Sequence, residues 1–275
     1  MGRLMRDKES RKPRKLTLSP TKINTYLSCR LAFKFTYVDR IGKFFYKPKS
    51  FHTFGATLHR ALDEFHKQGG AETQSADELI RTMQSMWTSA GYSSKQEEAE
   101  HLAAAQQFLD QYHSDHVVEG AKTIFTEKQL RVDMGEFVLM GRIDRIDEHT
   151  DGHIEIIDYK SGRIDVTEDE VRADTAMGVY SLLARRLFPN KRVTITIYAL
   201  RSGKKATAEH TAEELSELEV MIRLLAAEIA QVDEDSVIEP QWKPDQCPWC
   251  DYLSLCVKRG GWRNIETSTD RTTLA

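Results

Sequence analysis

Cysteine is scarce in this chain, with four residues, and proline is scarcer than average, with seven in 275. Neither a disulfide scaffold nor a collagen-like or low-complexity chain is built from so little of either. No apolar run approaches the roughly 18 to 20 residues that cross a bilayer, and the opening MGRLMRDKESRKPRK lacks the apolar stretch of a secretory signal. The expected address is the cytoplasm, with no membrane partner. No phosphate-binding G-x-x-x-x-G-K-[ST] pattern occurs, so any helicase activity has to come from a partner protein. Internal repeats are absent as well. What remains is a folded-protein composition, 40% hydrophobic and 29% charged. At roughly 150 residues per domain, that is one large domain or one and a half.

The net charge of −3 hides an uneven distribution. Residues 1–50 carry 14 Lys and Arg against Asp7, Glu9 and Asp39, a balance of +11, which leaves −14 on the other 225 residues. A basic start suits contact with an anionic polymer, because clustered Lys and Arg replace the counterions condensed on phosphates. Residues 1–16 taken alone are equally well read as a solvated tail.

Order begins near Leu16. Ser19-Pro20 predicts an N-cap with proline in the first helical turn, and the short helix that follows ends near Cys29. In 54–67, Leu58, Leu62 and Phe65 share one helical face and His59, Asp63 and His66 the next. Residues 75–115 read as further helices, an insertion without evident chemistry. The period then changes to two: 123–132, 136–147 and 153–160 are expected strands of a meander, the last two joined at Thr150, Asp151 and Gly152. Thr167 with Glu170 caps a helix expected to reach Arg186, 192–200 is another strand, and Thr211 with Glu214 caps a last amphipathic helix.

The meander carries the chemistry. It contains Gly141-Arg142-Ile143-Asp144-Arg145-Ile146-Asp147 and, after the turn, Ile156-Ile157-Asp158-Tyr159-Lys160-Ser161-Gly162. Alternation puts Asp158 and Lys160 on one face of their strand, and pairing with the neighbouring strand brings Asp144 close. Two carboxylates suit a hard divalent cation such as Mg²⁺ or Mn²⁺, and a nearby ammonium offsets charge in phosphodiester hydrolysis. An isolated D-x-K is common, and by itself reads more simply as a hairpin-end carboxylate beside a solvated lysine.

In combination and order, LSPTKINTYLSC (18–29), FGATLHRALDEF (54–65), GRIDRID (141–147) and IIDYKSG (156–162) resemble the RecB-like branch of the PD-(D/E)XK nucleases across nearly the whole folded length. The resemblance implies that His59, Asp144 and Asp158 hold the metal, that the Tyr159 backbone carbonyl completes the shell, and that Lys160 is catalytic. Glu127 matches an upstream acidic position, which is equally a polar strand residue. The family's Gln-x-x-x-Tyr helix reads here as Ala176-Met177-Gly178-Val179-Tyr180: the tyrosine is kept and the glutamine is lost.

The cysteines fall in two places, Cys29 and the C-terminal Cys247, Cys250 and Cys256 of CPWCDYLSLC. In a reducing compartment such a set reads as metal ligation, by zinc or by a [4Fe–4S] cluster. Similarity to the iron–sulfur subset, which includes AddB-type nuclease domains and CRISPR-associated RecB-like nucleases, favours the cluster. Trp242, Trp249 and Tyr252 then read as its packing.

The expected fold is α/β, a restriction-endonuclease-like core with a mixed sheet flanked by helices. Residues 1–16 form a basic flexible tail and 17–260 the nuclease domain. Within that domain 70–118 is a helical insertion, and Cys29 with 242–258 is the iron–sulfur region; 261–275 is a second flexible tail. The expected function is a metal-dependent DNA nuclease, an exonuclease on single-stranded ends, serving repair, recombination, phage or CRISPR DNA processing beside a helicase or similar partner. The alternative is a weakly active or non-catalytic DNA-binding scaffold subunit.

Overall fold

A computed structural model describes residues 15–115, 120–162 and 165–260. The tail segments 1–14 and 261–275 lie outside them. The described chain runs β1 (Leu16–Leu18), α1 (Pro20–Ser28), α2 (Arg30–Phe33) continued by a π turn, α3 (Ser50–Lys67), α4 (Ala76–Ser85) and α5 (Lys95–Asp115). It goes on through β2 (Ala121–Asp133), β3 (Phe137–His149), β4 (Ile154–Lys160), α6 (Glu168–Ala173), α7 (Thr175–Leu187), β5 (Val193–Ala199), β6 (Lys204–Ala208), α8 (Ala212–Ile229) and α9 (Leu253–Gly260).

The six strands form one mixed sheet. β2 runs antiparallel to β3 along one edge, from Val138 to His149. The other edge of β3 is shared: parallel β1 covers Phe137–Leu139, and antiparallel β4 covers Arg145–Glu148. β5 is parallel to β4, and β6 closes the far side antiparallel to β5. The β3–β4 turn falls at the expected residues, with Gly152 at φ +85°. β5 is buried at every residue, as a central strand covered on both faces should be.

Two helical layers cover the sheet. On one face α1, α7 and α8 pack Ile23, Leu183 and Ile222 against Ile143, Ile146, Ile156 and Ile195. On the other, Leu58, Leu62 and Phe65 of α3 meet Leu79, Leu109, Tyr112, Tyr159 and Tyr198. Helices α4 and α5, read in the sequence as an insertion, join this cluster by packing Leu79, Met83, Ala105 and Leu109 with α3, and Tyr112 of α5 reaches Tyr159 and Tyr198.

Three further expectations are corrected. Leu16, assigned to the tail, is the first residue of β1. The helix expected from Thr167 to Arg186 is two helices, because Asp174 adopts extended backbone and its carboxylate accepts the Ala176 and Met177 amides at 2.8 and 3.1 Å. An Asx side chain competing for backbone N–H groups breaks the run. The edge strand β6 was not foreseen, since KKATA is short and its core-facing Ala206 and Ala208 are too small to mark an apolar face.

Candidate active site

The site opens where two strands part. The β3–β4 ladder ends at the pair Arg145 and Ile157, while β4 stays paired with β5 as far as Lys160. Asp144 and Asp158 are the first residues past the last pair. The Tyr159 amide, which the separated strands leave without a β3 carbonyl, instead donates to Asp144 Oδ2 at 2.8 Å. That bond fixes the Asp144 carboxylate at the mouth of the fork.

His59 reaches the fork from the middle of α3, with Nδ1 3.2 Å from Asp144 Oδ1. Glu127 comes from β2, between Thr126, paired with Arg145, and Lys128, paired with Ile143, so it falls opposite Asp144. His59, Glu127 and Asp144 each offer a ligand atom, all within 4.8 Å of one another. Glu127 has φ +45°, in the left-handed region that a glutamate rarely occupies, so the surrounding sheet holds its side chain toward this point against local preference. Arg142, absent from the expected site, makes an ion pair with Glu127. Its position in GRIDRID was visible, but its partner was not.

Asp158 and Lys160 share one face of β4, as the alternation implies. Asp158 Oδ2 lies 2.6 Å from Lys160 Nζ, close as an ion pair yet outside directed hydrogen-bond geometry, so the buried oxygen keeps unsatisfied acceptor capacity. Tyr159 contributes its backbone to the fork and packs its ring edge-on against His59, at 5.9 Å between centroids. Beyond that ring contact its hydroxyl lies 2.6 Å from that of Tyr112, and Tyr112 also receives Arg145 Nη1 at 2.8 Å. Arg145 is closed off by Asp147 in a buried pair, so these two GRIDRID charges are structural. Tyr180 of α7 is buried and packs on Gly141, where a Cβ would lie 2.7 Å from the tyrosine Cε1. Ala176, in the glutamine slot, brings no polar atom.

The electrostatics are those of crowded acids. Burial first, then the Asp144 charge, pushes the Asp158 carboxyl up to about 6. Burial and Asp144 also raise Glu127. For His59 burial opposes the charged form, but the hydrogen bond and charge of Asp144, with Asp158 and Glu127, outweigh it and raise the imidazole. Burial likewise disfavours charge on Lys160, and Asp158 more than reverses that. A cation placed among these donors would relieve all of the like-charge repulsion. Oxygen and imidazole donors with one unsatisfied carboxylate oxygen fit a divalent ion.

A second cluster lies between the chain ends. Cys29, at the α1–α2 junction, lines one cavity with Cys247, Cys250 and Cys256. Burial and the neighbouring sulfurs raise the Cys256 thiol to about 11. Among the described residues no three of these sulfurs come within 4.8 Å of one another. Tyr252 packs here on Phe35 and Phe45, as expected, whereas Trp249 is exposed.

The PD-(D/E)XK nuclease superfamily profile matches residues 17–257, and the chain belongs to that superfamily. A crystal structure described as a "putative exonuclease" from Eubacterium rectale is similar over 92% of this chain and 94% of its own, at 14% identity and a TM-score of 0.52; it attests the fold. A second solved structure, SSO0001, aligns over 90% of this chain and 88% of its own at 12% identity, with a TM-score of 0.36. No curated protein is a significant match.

Proposed function

We propose that the protein is a divalent-metal-dependent deoxyribonuclease, an exonuclease acting on single-stranded DNA ends in repair, recombination, phage or CRISPR DNA processing. One observation carries the reading: His59, Glu127 and Asp144 converge at the strand fork with the Asp158–Lys160 pair immediately beside them. His59, Glu127, Asp144 and Asp158, with the Tyr159 carbonyl, are the residues that would hold Mg²⁺ or Mn²⁺. The ion, when bound, supplies Lewis acidity to the phosphoryl oxygen and lowers the pKa of water. Lys160, kept cationic by Asp158, orients the attacking water and offsets phosphate charge. Tyr180 closes the floor beneath Gly141. Arg142, released from Glu127 when that carboxylate turns to the ion, is positioned to meet a phosphate.

The four-cysteine cavity is proposed to hold a [4Fe–4S] cluster, as in the iron–sulfur subset the sequence resembles. The support is an all-thiol donor set, from an N-terminal and a C-terminal segment, lining one cavity.

The test is incubation of end-labelled single- and double-stranded DNA with Mg²⁺, Mn²⁺ or chelator. Expected is metal-dependent shortening of single strands by the wild type and a loss of at least about 100-fold for Lys160→Ala. Metal-independent binding without cleavage would instead support a non-catalytic scaffold, the outcome that Ala176 in the glutamine slot would explain.

A further inference from the structure

The segment ahead of α3 has a composition that neither the metal site nor the cysteine cavity uses. From Arg40 to Leu62 there is no acidic residue, while Arg40, Lys43, Lys47 and Lys49 alternate with Phe44, Phe45, Tyr46 and Phe51. Phe45 turns inward onto Tyr252, at 5.8 Å between ring centroids. The others turn outward: Phe44 is 72% exposed, Tyr46 60% and Phe51 60%. Trp249, 66% exposed, joins them, since Lys49 Nζ donates to its carbonyl at 3.2 Å and lies 3.3 Å from Asp251. Lys43 Nζ stands 4.9 Å over the Phe44 ring. Among the described residues Arg40, Lys43 and Lys47 enter no ion pair with an acid. Glu97, beside Ser50 at the start of α3, is taken up by hydrogen bonds from Ser93 and Ser50.

We propose that Phe44, Tyr46, Phe51 and Trp249 form a base-stacking platform for single-stranded nucleic acid, delivering the strand along α3 to the metal centre. Four large rings left in water lose the burial that normally holds them in a fold, and flat π surfaces between cations fit unpaired bases on an anionic backbone. A duplex hides those base faces, so the surface selects single strands. The path onward is set by helix geometry. His52, Ala56 and His59 share one face of α3, and Phe51 lies edge-on to His52 at 4.3 Å. Phe51 and His59 lie eight positions apart, about 12 Å of helix or roughly three stacked nucleotides. The small side chains of Gly55 and Ala56 keep the helix surface low between these ends. Gly55 also sits directly over the end of β4, where a Cβ would come within 3.0 Å of Ser161 Oγ, one residue past Lys160.

The destination of the strand rests on the nuclease reading; the platform's binding does not. Anisotropy of a labelled oligothymidine is therefore measured in chelator, where nothing is cleaved. The wild type is expected to bind it more tightly than the same sequence in blunt duplex. Phe44→Leu, Tyr46→Leu, Phe51→Leu and Trp249→Leu, each with an unchanged melting temperature, are expected to weaken binding by about tenfold per ring. Phe44→Tyr, which keeps a π face, restores affinity to within about twofold. Oligothymidine should quench tryptophan fluorescence, and Trp249→Leu should remove that quenching. Unchanged affinity in a Phe44→Leu/Tyr46→Leu/Phe51→Leu variant would overturn the proposal. So would loss of a wild-type dimer in that variant with no effect on DNA, which would assign the surface to a second copy. Hydrolysis of bis(p-nitrophenyl) phosphate by the wild type with Mn²⁺ reads the metal centre alone. Its absence counts against the nuclease reading and leaves the platform to the binding result.

Discussion

Asp158 is a buried carboxylate beside a second one, and Lys160 offsets only part of the cost, so its carboxyl is raised to about 6. A group whose folded pKa lies above its unfolded value adds stability below the unfolded value, near 3.8, and loses it as pH rises through about 6. The metal-free protein is therefore expected to lose stability between about pH 4 and 6 from this residue, with an upper limit of about 3 kcal/mol. In chelator at pH 7, Asp158→Asn should melt several degrees above the wild type, and at pH 4 the two should coincide. With Mg²⁺ the order reverses, because the ion stabilises only the chain that retains its ligands. Scanning fluorimetry across this series checks the claim; identical melting at pH 7 in chelator would sink it. Asp158 was legible in IIDYKSG. Glu127 was singled out only by resemblance, at an acidic position that a polar strand residue fills equally well, because its left-handed φ and its position opposite Asp144 exist only once β2 is paired.

The fork between β3 and β4 depends on how closely α7 lies against β3. A methyl group at Gly141 would stand 2.7 and 2.9 Å from Tyr180 ring carbons and 3.1 Å from Leu183 Cδ1. Both partners are core side chains that cannot swing away. Gly141→Ala should therefore cost about 1–3 kcal/mol of overpacking and shift β3 three residues from Asp144. Urea denaturation measures the first effect, and a parallel fall in Mn²⁺ affinity the second; unchanged stability would mean that α7 yields freely. At this scale long amphipathic elements were legible. The capping boxes of α6 and α8 formed as read, with Thr167 and Thr211 each accepting the amide three residues on. What escaped was short or interrupted: β1 and β6, and the break at Asp174. These depend on a partner strand or on one side chain choosing backbone N–H groups, and hydrophobic periodicity carries neither signal.

At the scale of the molecule, the N- and C-terminal segments meet at the cysteines. Leu31 and Phe35 on one side and Tyr252 on the other make a small separate core there. Anaerobically purified protein is expected to be brown, with iron and labile sulfide near about four each per chain. Cys29→Ala should bleach it, lower its melting temperature and open both ends to protease, since the free energy of a site whose ligands come from distant segments is folding free energy. One zinc and no iron in protein never exposed to air would refute the cluster and leave the nuclease reading standing.

By itself the sequence determined what is local and ordered along the chain: the α/β class, the meander, and the succession of His59, Asp144, Asp158 and Lys160 that marks the superfamily. Each depends on side-chain type and spacing, which folding does not alter. Only the tertiary structure decided which acids share a point. It set Glu127 beside His59 and Asp144, and spent Arg145 and Asp147 on a buried pair. Those outcomes follow from strand register and from where the β3–β4 ladder ends. They are long-range facts, since a shift of one residue in pairing would send each of these side chains to the other face.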